Sequence, residues 1–109
     1  MKMIVAIIRP EKVKNVKDAL KDAGIIGLTL YPVKGRGAQG GMNFMTRTGT
    51  FCIDELEKIM LNIAVEDDRT QLVSDAIKES ASTGSAGDGW IYVLPIEETI
   101  KISGGAADN

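Results

Sequence analysis

The sequence predicts an α+β sandwich in the β-α-β-β-α-β order of the ferredoxin-like split unit, with a long connection between its second and third strands. Three observations carry that expectation. Four short runs have the apolar content or the alternation of strands, two longer stretches carry apolar residues at helical spacing, and the two kinds succeed each other in that order. The 109 residues make one domain, enough for a single core that buries roughly two-thirds of the unfolded surface.

Residues 3–8 are continuously apolar and rich in β-branched side chains, as expected of a strand covered on both faces. Pro10 suits the first turn of a helix, where its missing N–H costs nothing. Val13, Val16, Ala19, Leu20 and Ala23 draw one stripe on a helix that ends at Gly24. Ile26, Leu28 and Leu30 alternate with Gly27, Thr29 and Tyr31 as a second strand. Pro32 places that strand at a sheet edge or a bulge, because proline donates nothing to a ladder. Residues 35–56 hold five glycines and no sustained period, and read as a loop without regular structure. Ile59, Leu61, Ile63 and Val65 then alternate with Met60, Asn62 and Ala64 as a third strand.

Glu66, Asp67 and Asp68 are N-cap candidates for the second helix, and Asp68 with Gln71 has the spacing of a capping box. Leu72, Val73, Ala76, Ile77, Ser80 and Ala81 form its stripe. The last strand is expected at residues 90–94, followed by a mixed tail with a frayed end. Both helices cover one face of such a sheet. The other face keeps apolar side chains, so self-association is the expected cover.

Two segments look functional. Thr83, Gly84, Ser85, Ala86, Gly87, Asp88 and Gly89 place three glycines within six residues, immediately before a strand. Such glycines bring main-chain N–H groups close to a ligand, as phosphate-holding loops do. The loop at 35–56 carries Arg36, Arg47, Met42, Phe44, Met45, Phe51 and Ile53, more apolar content than a solvating linker needs, and reads as an adaptable partner surface.

Composition narrows the classes. With 13 basic and 15 acidic residues the net charge is −2, so no global field draws the chain to nucleic acid or an acidic membrane. No apolar run approaches 18 residues, and the N-terminal run is too short for a signal peptide, so no membrane insertion is expected. The single cysteine, Cys52, forms no internal disulfide and fits a reducing cytoplasm. The absence of histidine removes the usual general base and the commonest transition-metal ligand.

Read together, Met1, Lys2, Met3 and Ile4, then Ile7, Ile8, Arg9 and Pro10, Gly35, Gly37, Gln39 and Gly41, Lys58, the 83–89 loop, and Val93 to Glu98 in register resemble the PII nitrogen-regulatory signal-transduction family over nearly the whole chain. Gly35, Arg36, Gly37 and Gln39, with Asp54, Glu55, Leu56, Lys58, Met60 and Leu61, are similar to the archaeal branch associated with nitrogenase control. The resemblance implies a cytoplasmic homotrimer with sheets facing inward and nucleotide sites in the clefts between subunits, where ATP and ADP compete and 2-oxoglutarate binds with MgATP. It implies that Thr29 and the backbone near Ala64 meet the adenine, and that Gly87, Asp88 and Gly89 hold phosphates and ribose. Gly35, Gly37 and Ala38 belong to the same nucleotide site. Gln39 reaches Mg²⁺ and 2-oxoglutarate, and Lys58 and Gly87 meet that effector. Implied partners are an ammonium transporter, nitrogenase, or another metabolic enzyme or transporter, controlled without catalysis and without nucleic acid.

The chain departs from the family at positions 38, 90, 101 and 103, where basic residues are usual and Ala38, Trp90, Lys101 and Ser103 stand here. A hydrogen bond to a charged group contributes about 1.5–3 kcal/mol, so losing three weakens triphosphate binding and leaves ADP or AMP as alternative ligands. Trp90 either stacks on a base or simply packs; Lys58 and Lys101 have the alternative of solvated surface lysines. Phe51 and Gly49 replace the tyrosine and serine that relatives modify, which leaves direct effector sensing. RNA-recognition modules share the strand order but need aromatic residues on the two central strands, which have none here. An acylphosphatase-like enzyme needs an arginine-lined phosphate loop beside the first strand, which Arg9, Pro10 and Glu11 do not supply.

Overall fold

The computed structural model describes residues 1–36, 42–53 and 55–104. The chain runs β1 (Lys2–Ile8), α1 (Val13–Asp22), β2 (Thr29–Gly35), β3 (Met42–Thr46), β4 (Gly49–Ile53), β5 (Leu56–Val65), α2 (Thr70–Ala81) and β6 (Gly89–Pro95). β2, β5, β1 and β6 form one antiparallel sheet in that spatial order. With its two helices the sheet makes a ferredoxin-like fold.

Strand alternation sorts the side chains. Ile4, Ala6 and Ile8 of β1 and Leu61, Ile63 and Val65 of β5 point to the helix layer. There they join Val16 and Leu20 of α1 and Val73, Ile77 and Ala81 of α2, all essentially inaccessible. Burial of one such large side chain contributes about 1.5–3 kcal/mol, so this cluster holds the helices to the sheet. On the opposite face the helices offer nothing, and Trp90, Tyr92 and Leu94 along the β6 edge stay exposed.

Several expectations shift in detail. α1 is preceded by a 3-10 turn, Pro10–Lys12, and its end is closed at Gly24, whose N–H bonds the Lys21 carbonyl at 2.9 Å. β2 begins three residues later than the Ile26 alternation predicts and passes straight through Pro32, opposite Ile59. It tolerates the proline because it is an edge strand. The stretch expected to lack regular structure contains the hairpin β3–β4, with Met42 opposite Ile53 and Phe44 opposite Phe51. Its apolar residues are spaced by two on each arm, a short period that the surrounding glycines obscure.

The capping box does not form. The chain enters α2 through a 3-10 turn, Asp67–Arg69, with no side-chain cap. Gln71 instead donates to Asp75 at 2.9 Å, and the Asp67 carboxylate pairs with the amino group of Met1 at 2.7 Å.

Ile77→Ala should lower stability by about 3 kcal/mol, read as a lower urea midpoint at unchanged slope. Leu72→Ala on the exposed side of the same helix should cost under about 0.5 kcal/mol. Equal losses would show that the helix does not pack through the Ile77 face.

Candidate functional site

The loop between α2 and β6 is organised by one carboxylate. Asp88 Oδ2 accepts the backbone N–H of Thr83 at 2.8 Å and that of Gly84 at 3.0 Å, while the Thr83 hydroxyl donates to Oδ1. Thr83 Oγ1 in turn accepts the Ser85 N–H at 3.2 Å. From outside the loop, Arg9 donates through Nε to Asp88 Oδ1 at 3.0 Å and through a terminal nitrogen to the Ala86 carbonyl at 2.7 Å. These donors hold the Asp88 carboxyl far below the ordinary aspartate range, the Thr83 hydroxyl and backbone N–H first among them.

Two glycines are required by the geometry. A Cβ at Gly89, where φ is +110°, would sit 1.7 Å from the Ile7 carbonyl oxygen, so only glycine lets β6 begin against β1 here. At Gly87, φ +92°, a Cβ would lie 3.3 Å from an Arg9 terminal nitrogen and 3.7 Å from Lys58 Nζ. Two cations therefore converge on this glycine. Lys58 donates to the Gly87 carbonyl. Burial, then the Arg9 charge, pushes the Lys58 ammonium below the usual lysine range. Among the described residues its hydrogen-bond partner is a neutral carbonyl and not a carboxylate, a donor arrangement suited to an incoming anion.

The residues singled out from the sequence fall into two groups. Gly87, Asp88, Gly89, Trp90 and Lys58 gather at one end of the sheet, with Gly35 at the end of β2 two register positions from the Val33–Lys58 pair. Thr29 and Ala64 lie towards the other end: Ala64 is six residues along β5 from Lys58, roughly 20 Å, and Thr29 sits opposite Asn62, four residues and roughly 13 Å away. Lys101 and Ser103 are exposed in the segment that follows the far end of β6, beside Lys2. One subunit does not bring the two groups together. Gly37, Ala38 and Gln39, and with them any Mg²⁺ contact, lie outside the described residues.

At the far end a pocket of about 600 Å³ is lined by Met3, the chain from Gly24 to Thr29, Asn62 and Ala64. Its wall is fixed by Arg69, whose guanidinium donates to the Ala23 carbonyl and so ties the start of α2 to the end of α1. Asn62 Oδ1 is buried without a hydrogen-bond partner. A buried orphan acceptor costs about 1–3 kcal/mol, so it fits a ligand that donates an N–H.

Sequence reasoning missed Asn62, the clamp role of Arg9 and the bracing by Thr83. Arg9 had a visible signal, a charge immediately after a buried apolar strand. Asp88 was expected to hold the ligand; within the subunit its carboxylate shapes the loop, a part that expectation did not include. Among the described residues no three acidic, cysteine or histidine groups cluster as metal ligands, and no helix is long and apolar enough to cross a membrane.

A family model described as "Nitrogen regulatory protein P-II" matches residues 1–106. The chain is 47% identical over 105 residues to the "Nitrogen fixation nifHD region GlnB-like protein 1" of Methanothermococcus thermolithotrophicus, covering 96% of both chains. It is 43% identical over 105 residues to "Nitrogen regulatory protein P-II 1" of Methanothermobacter thermautotrophicus, covering 96% of this chain and 91% of the relative. To "Nitrogen regulatory protein P-II" of Microchaete diplosiphon it is 41% identical over 105 residues, covering 96% and 94%.

Because the folded Asp88 carboxyl titrates below the unfolded one, its stabilising contribution is complete above the ordinary aspartate range near pH 4 and fades as pH falls toward the folded value. Asp88→Asn should lower Tm by several degrees at pH 7, with the gap from wild type closing below about pH 4. Thermal melts from neutral to strongly acid pH measure this; a gap that stays constant would contradict the ionised clamp.

Proposed function

The chain belongs to the nitrogen regulatory protein P-II family, a family of regulatory proteins, and on that premise we propose that it senses adenine nucleotides in clefts between the subunits of a homotrimer. The carrying observation is Lys58, half-buried at the Asp88-braced glycine loop, with a neutral carbonyl as its hydrogen-bond partner. That geometry favours an anion: phosphate oxygens replace the Gly87 carbonyl as acceptors for Lys58, and loop N–H groups add to them.

The base is held elsewhere. Asn62 Oδ1 and Thr29 line a pocket whose near edge is roughly 13 Å from Lys58 along the sheet. The two halves fit one ligand when the loop end of one subunit faces the pocket end of the next. The same assembly covers Tyr92 and Leu94, whose exposure is unusual for a subunit that stays alone, and leaves Trp90 at the edge of the cleft beside the glycine loop. A homotrimer with its sheets inward satisfies both requirements.

Ligand occupancy would reach partners through residues 35–56, which begin beside Lys58 and include the β3–β4 hairpin. An anion that draws Lys58 away from Gly87 changes the anchorage of that segment, which makes an order–disorder or positional switch. 2-Oxoglutarate has the carboxylates that Lys58 would pair with, and Mg²⁺ would enter with the nucleotide phosphates and Gln39. The regulated protein would be an ammonium transporter, nitrogenase, or another enzyme or carrier. A second reading, favoured by exposed Trp90 beside the loop, is a sensor of ADP, AMP or another small metabolite acting outside nitrogen metabolism.

Calorimetry and light scattering test the proposal together. The expected result is a trimer mass, adenylate binding that weakens at least tenfold in Lys58→Met, and ATP affinity no better than that for ADP. Lone subunits with no adenylate binding would refute the sensor reading. Sub-micromolar ATP affinity with strong selectivity over ADP would refute the weak discrimination.

A further inference from the structure

Strand register lays out the exposed face of the sheet as rows. Trp90, Ile7, Met60 and Tyr31 are register partners in one row across β6, β1, β5 and β2. Tyr31 fixes the far end of that row by donating its hydroxyl to Met60 Sδ at 2.8 Å. One pleat away, roughly 7 Å, stand Lys58, Arg9 and Asp88. One pleat the other way stand Tyr92, Val5, Asn62 and Thr29.

The charge in these rows is small and local. Arg9 is already spent on Asp88 and the Ala86 carbonyl, with Glu11 4.0 Å from its other terminal nitrogen. That leaves Lys58 as the cation bonded to a neutral acceptor. The adjoining row of Trp90, Ile7, Met60 and Tyr31 carries no charge at all. A second phosphate in line would lie over indole and aliphatic surface, where an ion loses hydration without a counter-ion. A ring placed there gains stacking instead. Trp90 is suited to that part: it is 62% exposed, and it lies 16° from parallel with Tyr92 at a centroid distance of 6.4 Å, which fixes its orientation.

Resting on the adenylate reading above, we infer that the site selects a nucleoside monophosphate, with Lys58 as the phosphate cation and Trp90 as the platform for the nucleoside. Lys58 and Trp90 stand one pleat apart along the strands and on either side of β1, roughly 12 Å between backbones; the Lys58 ammonium crosses much of that gap by reaching the Gly87 carbonyl, three residues before Trp90, and a 5′-phosphate with its base spans the rest. The edge of the base then faces the pocket that a neighbouring copy supplies through Asn62. A longer phosphate chain pushes the base off the indole or leaves its outer charges unmatched.

Trp90 is the chain's one tryptophan, so its fluorescence reports directly on this contact. The test titrates AMP, ATP, adenosine and ribose 5-phosphate by fluorescence and by calorimetry. AMP should quench the emission saturably and bind about tenfold or more tighter than ATP; ribose 5-phosphate should bind weakly without quenching. Trp90→Ala should weaken AMP about tenfold, the size of one lost base stack. Trp90→Phe should retain most of the affinity, and Trp90→Lys should shift preference toward ATP. Melts of each variant check folding. ATP bound tighter than AMP by the wild type, or AMP affinity unchanged in Trp90→Ala, overturns the platform while leaving adenylate sensing intact. No heat from any adenylate removes both.

Discussion

The site depends on a single carboxylate whose two oxygens are both held by donors of the loop and of Arg9. Asp88 gathers two loop N–H groups, one hydroxyl and the Arg9 guanidinium, and so converts a glycine-rich segment with high backbone entropy into a defined shape. The close passage of Gly89 over the Ile7 carbonyl fixes where that shape sits relative to β1. Together they aim the Gly87 carbonyl at Lys58. Without the clamp, Lys58 would be an ordinary strand-end lysine; with it, the ammonium is half-buried beside a second cation and its bonded partner is exchangeable.

A second constraint follows from sheet geometry. The cationic end and the pocket around Asn62 belong to the same strand, β5, but four residues of it, roughly 13 Å, separate Lys58 from Asn62. The face between them carries Trp90, Tyr92 and Leu94 in exposed positions. On the proposed reading, covering that face and completing the site are one event, which links assembly to ligand affinity by mass action.

Much of this was legible in the residues. The strand and helix order followed from periodicity because β1 and β5 are apolar enough, and α1 and α2 striped enough, for local pattern and tertiary packing to agree. Gly24 marked the end of α1, and Pro32 marked an edge strand. The hairpin β3–β4 was hidden because its arms are only five residues each and glycines surround them. Gln71 did not cap α2 because the Asp67–Arg69 turn moved the helix start to Thr70. Within the site, the glycines and Lys58 were visible as types, whereas the role of Asp88 was not. A carboxylate beside a phosphate-type loop reads as a ligand contact, and its residue type does not announce that it also braces the loop. Asn62 gave no signal at all, since one polar residue in an alternating strand is ordinary until its oxygen is found buried and unpartnered.

The central claim is that one adenylate is held by the loop end of one subunit and the pocket end of its neighbour. Subunit mixing tests it most directly: Lys58→Met and Asn62→Leu proteins are titrated with adenylate separately, then after being unfolded and refolded together. The account predicts weak binding by each alone and recovery of wild-type affinity in a fraction of sites in the mixed trimers, where intact halves meet. Mixed trimers that bind no better than the separate variants would contradict it.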